Sequence, residues 1–207
     1  MQVEQKPKLI VKKIKKVSGL YYIPNLITNS VLLLKSLDAM QWIPVSNSNS
    51  SRKVQHYGYL YDYITKKINI PTNQFPQFLK NMAEEIEDIC LKLQITSPNY
   101  KFNQCIVNNY ECGQGIRTHT DVKDYGDVIC CYTINSGATM KFVNPNTNEK
   151  YTKYVEPNSL YIMSGDARRI WTHEMPNCNY DLVDGEKIQR GRRISITFRN
   201  VPNNFIK

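Results

Sequence analysis

From Thr96 onward the chain is a series of short apolar segments separated by turn residues, and this pattern restricts its possible folds more than any other feature. The segments are "QCIVNNY", "DVICCYTI", "ATMKFV", "SLYIMSG" and "RRISITFR". Segments of this length, bounded by turns and starting roughly ten residues apart, are typical of β-strands. They predict a sandwich or barrel of antiparallel sheets.

The N-terminal half contains two helical patterns. The first follows Thr28 as N-cap, and its apolar residues at helical spacing are Leu33, Leu34, Leu37 and Met40. The second runs from about Pro76 to Leu93, with an apolar stripe of Leu79, Met82, Ile86, Ile89 and Leu93. We therefore predict an α+β fold, in which a helical half (18–95) lies against an all-β half (96–207).

The basic residues are unevenly distributed. The net charge is +9, which favours a polyanionic partner such as nucleic acid. Six lysines fall within a predicted basic N-terminal arm of residues 1–17, namely Lys6, Lys8, Lys12, Lys13, Lys15 and Lys16. Such a run is more often solvated than part of a specific site, so its support for nucleic-acid binding is weak.

The remaining composition indicates an intracellular globular protein. No segment has the length and apolarity of a membrane span, and no secretory signal is visible at the N-terminus. The six cysteines form no CxxC pair, and Cys130 and Cys131 are adjacent in an apolar segment, so we expect reduced, buried thiols. A monomer is favoured, although the sequence does not determine the oligomeric state.

The stretch "GQGIRTHTD" contains the first candidate for a metal site. In a strand, residues i and i+2 point to the same face, so His119 and Asp121 can bind one ion together. His173, in "RRIWTHEM", is the candidate for a third ligand. Two histidines and one carboxylate form the ligand set of non-haem Fe(II) oxygenases. The pair alone is weak evidence, because His-x-Asp arises by chance in roughly one such chain in seven.

The C-terminal stretch "GRRISITFRNV" strengthens this interpretation. Arg193 and Arg199 are six residues apart, so in a strand both point to one face with Ser195 and Thr197. Buried arginines are costly unless they meet anions, and a guanidinium can bind a carboxylate with two hydrogen bonds. The pattern suits a dicarboxylate such as 2-oxoglutarate. The alternative is an exposed edge strand with solvated arginines.

The order "NNYECGQGIRTHTD", "SLYIMSGDARRIWTH", "RRISITFR" resembles the AlkB-like family of Fe(II)- and 2-oxoglutarate-dependent dioxygenases. The resemblance covers roughly residues 18–202, and "GLYYIPNLIT" and "RKVQHYGYLYDY" look like the family's opening segment and substrate-facing lid. It implies a double-stranded β-helix, or jelly roll, with N-terminal helices and a β-hairpin lid.

The resemblance also implies roles for individual residues. Fe(II) would be held by His119, Asp121 and His173. The cosubstrate 2-oxoglutarate would be bound by Asn108, Tyr110, Arg193, Ser195 and Arg199. Arg193 would pair with the distal carboxylate, and Arg199 would lie near the carboxylate next to the keto group. Without the resemblance, Asn108 and Tyr110 would be ordinary polar residues at a strand end.

The segment "SSRKVQHYGYLYDYITKK" is the candidate for substrate binding. Its alternating tyrosines would share one face in an extended strand, flanked by basic residues, an arrangement that can stack a flipped or single-stranded base. The substrate-binding residues predicted here are Arg52, Gln55, Tyr57, Tyr59 and Tyr61. Alternatively, the tyrosines only pack against a sheet. His56 is expected to be a polar surface residue of this lid.

Three functions remain open at this point. The first is oxidative demethylation of N-alkylated bases in DNA or RNA, with O2 and 2-oxoglutarate as cosubstrates and release of formaldehyde. The second keeps the chemistry but acts as a tRNA-base hydroxylase or on a protein. The third is a catalytically inactive nucleic-acid-binding module. Lys123, two residues after Asp121, stands where nucleobase dealkylases of the family often carry an acid, which leaves the substrate undecided.

Overall fold

The computed structural model describes residues 9–48 and 51–202, except for the side chains of residues 69 and 70. The helices in this part of the chain are α1 (Ser30–Asp38), α2 (Gln77–Lys92) and α3 (Gly165–Arg169). The strands are β1 (Lys12–Lys13), β2 (Leu20–Ile23), β3 (Ile43–Pro44), β4 (Lys53–Tyr57), β5 (Tyr59–Tyr61), β6 (Ile68–Pro71), β7 (Gln104–Tyr110), β8 (Ile116–His119), β9 (Ile129–Ile134), β10 (Ala138–Val143), β11 (Lys150–Val155), β12 (Ser159–Met163), β13 (Thr172–Met175), β14 (Tyr180–Val183), β15 (Glu186–Gln189) and β16 (Arg193–Arg199).

Two antiparallel sheets face each other. The larger has eight strands in the order β1-β2-β12-β9-β16-β7-β4-β3, and the smaller has four in the order β11-β10-β13-β8. Two hairpins, β5–β6 and β14–β15, form separate two-stranded sheets. Because β2 pairs with β12 and β4 pairs with β7, strands from residues 18–95 complete the sheet built by residues 96–207. The two predicted halves thus share one sheet.

Helices α1 and α2 cover the outer face of the larger sheet. Leu37 of α1 and Leu79 and Ile86 of α2 are fully buried there, against Ile196 and Phe198 of β16. Burying one such side chain stabilises the fold by about 1.5–3 kcal/mol. A second apolar cluster lies on the inner side of the larger sheet and joins it to the smaller one, with Phe142 and Tyr161 among its members.

The predicted helices are present with altered details. Asn29 rather than Thr28 caps α1, because its side-chain oxygen accepts a hydrogen bond from the Leu32 N–H at 3.2 Å. Met40 lies beyond the end of α1 and is 39 % exposed. The second helix matches its predicted span closely, but its buried face consists of Leu79, Ala83, Ile86, Ile89 and Cys90.

The predicted basic arm requires a correction over its described part. Lys6 and Lys8 lie outside the described residues. Lys12 and Lys13, however, form an edge strand that pairs with β2, and Val17 is completely buried. Pairing and burial hold this segment on the larger sheet, so from Lys12 onward it is not a free arm. Across residues 9–48 and 51–202, no helix has both the length and the apolar surface needed to cross a bilayer.

Candidate active site

Two neighbouring strands of the smaller sheet bring the predicted metal ligands together. His119 at the end of β8 is paired in register with His173 in β13, and their ring centroids are 4.3 Å apart. Asp121 follows β8 immediately, and its Oδ2 lies 3.5 Å from Nε2 of His173. One donor atom from each residue lies within 4.8 Å of the others. The three residues can therefore surround one ion.

Both imidazoles are prepared to act as metal ligands. Nδ1 of His119 lies 2.8 Å from the carbonyl oxygen of Arg117, which can only accept, so Nδ1 carries the proton and Nε2 keeps a free lone pair. Burial, reinforced by the nearby His119, lowers the pKa of His173 to about 3. His173 is thus neutral at physiological pH, as a metal ligand must be.

Asp121 is ionised and held by an arginine. Burial alone would raise the pKa of its carboxyl, but Arg199 and then His173 and His119 outweigh that effect, so the pKa lies well below its usual range. Nε and Nη2 of Arg199 lie 2.8 and 2.7 Å from Oδ1, which leaves Oδ2 directed towards His173. Arg199 also lines the inner cavity beside these ligands, so its predicted place near 2-oxoglutarate stays a prediction.

A second buried arginine, which sequence reasoning missed, holds the loop that follows Asp121. The guanidinium of Arg168 donates to four carbonyl oxygens, those of Asp121 (3.1 Å), Val122 (2.6 Å), Tyr125 (3.1 Å) and Gly126 (3.2 Å). It is only 3 % exposed. The signal in the sequence was an arginine pair after a Gly-Asp turn, but nothing in it indicated which arginine turns inward.

An inner cavity of about 50 Å³ adjoins the three ligands and is lined by Asn108, Tyr110, Arg193 and Ser195. Nη2 of Arg193 donates to Oγ1 of Thr133 at 2.9 Å, whereas its Nε, also buried, has no hydrogen-bond partner among the described residues. A buried cationic donor left unpaired is costly. The cavity thus presents a donor that fits a carboxylate.

A larger outer cavity of about 610 Å³ opens from the ligands towards the β5–β6 hairpin. The side chains of Tyr61, Tyr63 and Tyr125 line it, together with the basic residues Arg52, Lys66, Arg117 and Arg199. The predicted hairpin is therefore present beside the cavity, and Arg52 and Tyr61 line the cavity as expected.

Two predicted substrate residues lie in the core instead. Gln55 donates to the carbonyl oxygen of Leu37 at 2.8 Å, and the Tyr57 hydroxyl donates to Oε1 of Gln55 at 3.0 Å. Their exposed fractions are 3 % and 4 %. Tyr59 packs beside Tyr125 without lining the cavity. The prediction that these tyrosines share one face is therefore wrong.

The cause is Gly58, which interrupts the strand between β4 and β5. Its φ of +77° belongs to the left-handed region, and a Cβ at this position would lie 1.9 Å from the carbonyl oxygen of Asn103. The alternation therefore restarts after Gly58, and Tyr63 lines the cavity although Tyr57 does not.

His56 is also placed differently from the prediction. It is 6 % exposed, its ring centroid lies 5.8 Å from that of Tyr63, and burial with the nearby Arg199 lowers its pKa to about 4. It is an interior residue of β4 rather than a polar surface residue, because it occupies the inward side of the strand pairing with β7.

Comparison with known proteins agrees with this geometry. Residues 19–199 match a model of the 2OG-Fe(II) oxygenase superfamily. An uncharacterised protein of Acanthamoeba polyphaga mimivirus is 35 % identical over 205 residues, covering 97 % of this chain and 93 % of its own length. A protein of Arabidopsis thaliana named "Alkylated DNA repair protein ALKBH8 homolog" is 28 % identical over 90 % of this chain, which spans 59 % of that protein.

The solved structure of OsALKBH1 shares the fold. It superposes with a TM-score of 0.68 at 12 % identity, covering 92 % of this chain and all of the other. Together with the two facing antiparallel sheets, this likeness confirms the predicted jelly roll with N-terminal helices.

Proposed function

This chain belongs to the 2OG-Fe(II) oxygenase superfamily, and we propose that it oxidatively demethylates N-alkylated bases in DNA or RNA. As an AlkB-like member it is a dioxygenase that uses Fe(II), 2-oxoglutarate and O2, in agreement with the prediction from sequence. The chain is therefore an enzyme rather than an inactive binding module. The observation that carries the proposal is the outer cavity, which has aromatic and basic walls and is lined by two of the three candidate ligands, His119 and Asp121.

In this proposal His119, Asp121 and His173 hold the iron. The donor set fits Fe(II), since it consists of two imidazoles and one carboxylate. When bound, iron and 2-oxoglutarate supply the oxidation of a substrate C–H bond, and a hydroxylated N-methyl group then separates as formaldehyde. Arg199 keeps the Asp121 carboxylate ionised and oriented, and Arg117 fixes the proton on Nδ1 of His119 through its carbonyl oxygen.

The inner cavity binds 2-oxoglutarate. Arg193 supplies the buried cation, with Nε free to donate to a carboxylate. Nδ2 of Asn108 lies 3.5 Å from Oγ of Ser195, and its Oδ1 accepts from Nε of Arg52 at 3.1 Å, so the amide is held in one orientation beside Arg193. Tyr110 packs against the Arg193 guanidinium, 5.7 Å from its ring centroid. A carboxylate placed there exchanges its hydration for charge-assisted hydrogen bonds.

The outer cavity binds the base. Tyr61 and Tyr63, whose rings meet edge to face with centroids 5.0 Å apart, provide aromatic surface against which a base can stack. Lys66 and Arg117 are exposed and line the opening, where they can contact phosphates. A base reaches such a cavity from a single strand or after flipping out of a duplex.

The test measures succinate and formaldehyde with iron-loaded protein and a single-stranded oligonucleotide that carries N-methylated bases. We expect formaldehyde at one equivalent per succinate above the uncoupled background, with little stimulation by the same strand without methyl groups. His119→Ala should form neither product. Background succinate that the methylated strand does not stimulate would reject the base as substrate and direct the search to tRNA or a protein.

A further inference from the structure

The outer cavity is positively charged, and its carboxylate is already engaged. Four cationic side chains line it, namely Arg52, Lys66, Arg117 and Arg199. Among the described lining residues, Asp121 is the only carboxylate, and Arg199 contacts its Oδ1 at 2.7 Å. A substrate that enters the cavity therefore meets no free negative charge.

The four cationic side chains lie at different depths in the outer cavity. Lys66 and Arg117 are exposed and form no ion pair within the described part of the chain, so phosphates of a bound strand can neutralise them. Arg199 is 8 % exposed, and Arg52 is partly buried with its Nε on Asn108 and its guanidinium 5.6 Å from the Tyr63 ring centroid. Because Asp121 pairs with Arg199, Arg52 is the cation whose charge remains unpaired beside the base when phosphate occupies the rim.

Tyr125 adds a polar group that lacks a partner. It is 3 % exposed and lines the cavity, and its hydroxyl has no hydrogen-bond partner among the described residues. Its position is well determined, because its carbonyl oxygen accepts from Arg168 and Arg169, and the Arg199 guanidinium lies 4.9 Å from its ring centroid. A buried hydroxyl left unpaired is costly, which suggests that a ligand completes it.

We propose that the site selects N-methylated bases that are electrically neutral and present a ring carbonyl to the Tyr125 hydroxyl, and that it disfavours cationic bases. This inference rests on the proposed function. Methylation at N3 of uracil or thymine, or at N1 of guanine, replaces an N–H hydrogen and leaves a neutral ring with at least one carbonyl next to the methylated nitrogen. Methylation at N3 of cytosine or N1 of adenine alkylates a lone pair, so the ring becomes cationic and is repelled by Arg52, which forms no ion pair within the described residues.

The test uses two single-stranded oligonucleotides that are identical except for one central base, 3-methyluracil or 3-methylcytosine. Both carry the methyl group on N3 and have nearly the same size, and they differ in the group at position 4 and in charge. With iron-loaded full-length protein, kcat/KM for formaldehyde release should favour 3-methyluracil by about tenfold or more. Equal or faster turnover of 3-methylcytosine would overturn the proposal.

The variant Tyr125→Phe distinguishes the effect of the hydroxyl on selectivity from the effect of the surrounding charges. It keeps the ring against Arg199, so the protein should fold as the wild type does. We expect kcat/KM for 3-methyluracil to fall about tenfold while that for 3-methylcytosine stays constant. Tyr151→Phe, which removes a hydroxyl outside the cavity, serves as the control and should change neither value. The charge of Arg52 should maintain a reduced preference, so a preference for 3-methyluracil that is undiminished in Tyr125→Phe would overturn the assignment of the hydroxyl.

The outcomes also separate this inference from the proposed function. Formaldehyde from the 3-methylcytosine strand alone would reject the selectivity and retain the demethylase. Succinate without formaldehyde from either strand would reject the nucleobase demethylase and this inference together.

Discussion

The two faces of β16 are equally buried but chemically opposite. On one face Ile194, Ile196 and Phe198 are fully buried against the helical layer. On the other face, Arg193 and Arg199, also buried, point towards the candidate ligands together with Ser195 and Thr197. The first face lowers the free energy of the fold by removing apolar surface from water. The second face costs stability unless each charge has a partner, because burial penalises the charged form.

The difference shows how one strand can serve stability and chemistry separately. The charge of Arg199 is paired within the protein, by the carboxylate of Asp121. Arg193 keeps one buried donor without a partner in the described residues, and in the proposed function a carboxylate of 2-oxoglutarate would pair with it. Changes on the outer face should therefore affect unfolding, and changes on the inner face should affect binding and turnover.

The largest effect is expected at the metal ligands. His119→Ala should remove stoichiometric iron and lower succinate formation by more than roughly 100-fold, since loss of only a hydrogen-bond partner of a metal ligand already costs about 10- to 100-fold. His119 is only partly buried, so the midpoint of thermal unfolding of the metal-free protein should change little. Full iron content with a wild-type rate would contradict the assignment of His119.

The next effect tests the outer face of β16. Ile196→Ala should lower the free energy of unfolding by about 2–5 kcal/mol, because it leaves a cavity beneath the helices. The KM for 2-oxoglutarate of the folded variant should stay near the wild-type value. Ser195, the neighbouring residue on the other face, provides the matched comparison. Ser195→Ala should change the free energy of unfolding by about 1 kcal/mol or less and should raise the KM for 2-oxoglutarate. Urea denaturation and steady-state kinetics of both variants decide the point, and a reversed pattern would refute the division between the faces.

A smaller effect is expected from the arginine behind the ligand loop. Arg168→Lys keeps the charge but cannot donate to all four carbonyl oxygens in the same geometry, so iron affinity should fall by about 10- to 100-fold. Arg169→Lys, at the adjacent and more exposed position, is the control and should bind iron as the wild type does. Equal iron affinities for the two variants would show that the hydrogen bonds of Arg168 do not position Asp121.

The smallest effect concerns pH. The pKa of His56 in the folded protein is about 4, below its ordinary value of 6.5, because of burial and then Arg199. The unfolded chain therefore takes up the proton first as pH falls, so this contribution to stability is complete above about pH 6.5 and is lost between 6.5 and 4. We expect His56 to account for about 1–3 kcal/mol of the stability that the metal-free protein loses over that interval, to which His173, with its pKa of about 3, also contributes. In urea titrations at several pH values, the free energy of unfolding of His56→Gln should depend less steeply on pH. An unchanged pH dependence would assign the loss to another group.

Some features could be predicted from the sequence because they depend only on the alternation of side chains along a strand. Alternation along "RRISITFR" placed Arg193, Ser195 and Arg199 on one face without knowledge of the neighbouring strands. The i, i+2 spacing of His119 and Asp121, followed by His173 in the expected order, led to the ligand set and to the family. These inferences hold because side chains alternate along any extended strand.

Other features depended on contacts between distant residues. The pairing of Arg199 with Asp121 joins positions that are 78 residues apart, and the choice of Arg168 rather than Arg169 as the inward arginine was set by the loop it contacts. The prediction that the tyrosines share one face was wrong because Gly58 approaches Asn103. The sequence gives no local sign of this contact beyond the glycine itself.

The sequence by itself thus determined the strand pattern, the helices, the ligand types and their order along the chain. The tertiary structure alone decided which charges pair, which tyrosines line the cavity and where a polar group is left for a ligand. The reason is physical: periodicity orients a side chain relative to its own strand, whereas pairing and burial depend on which elements pack against that strand.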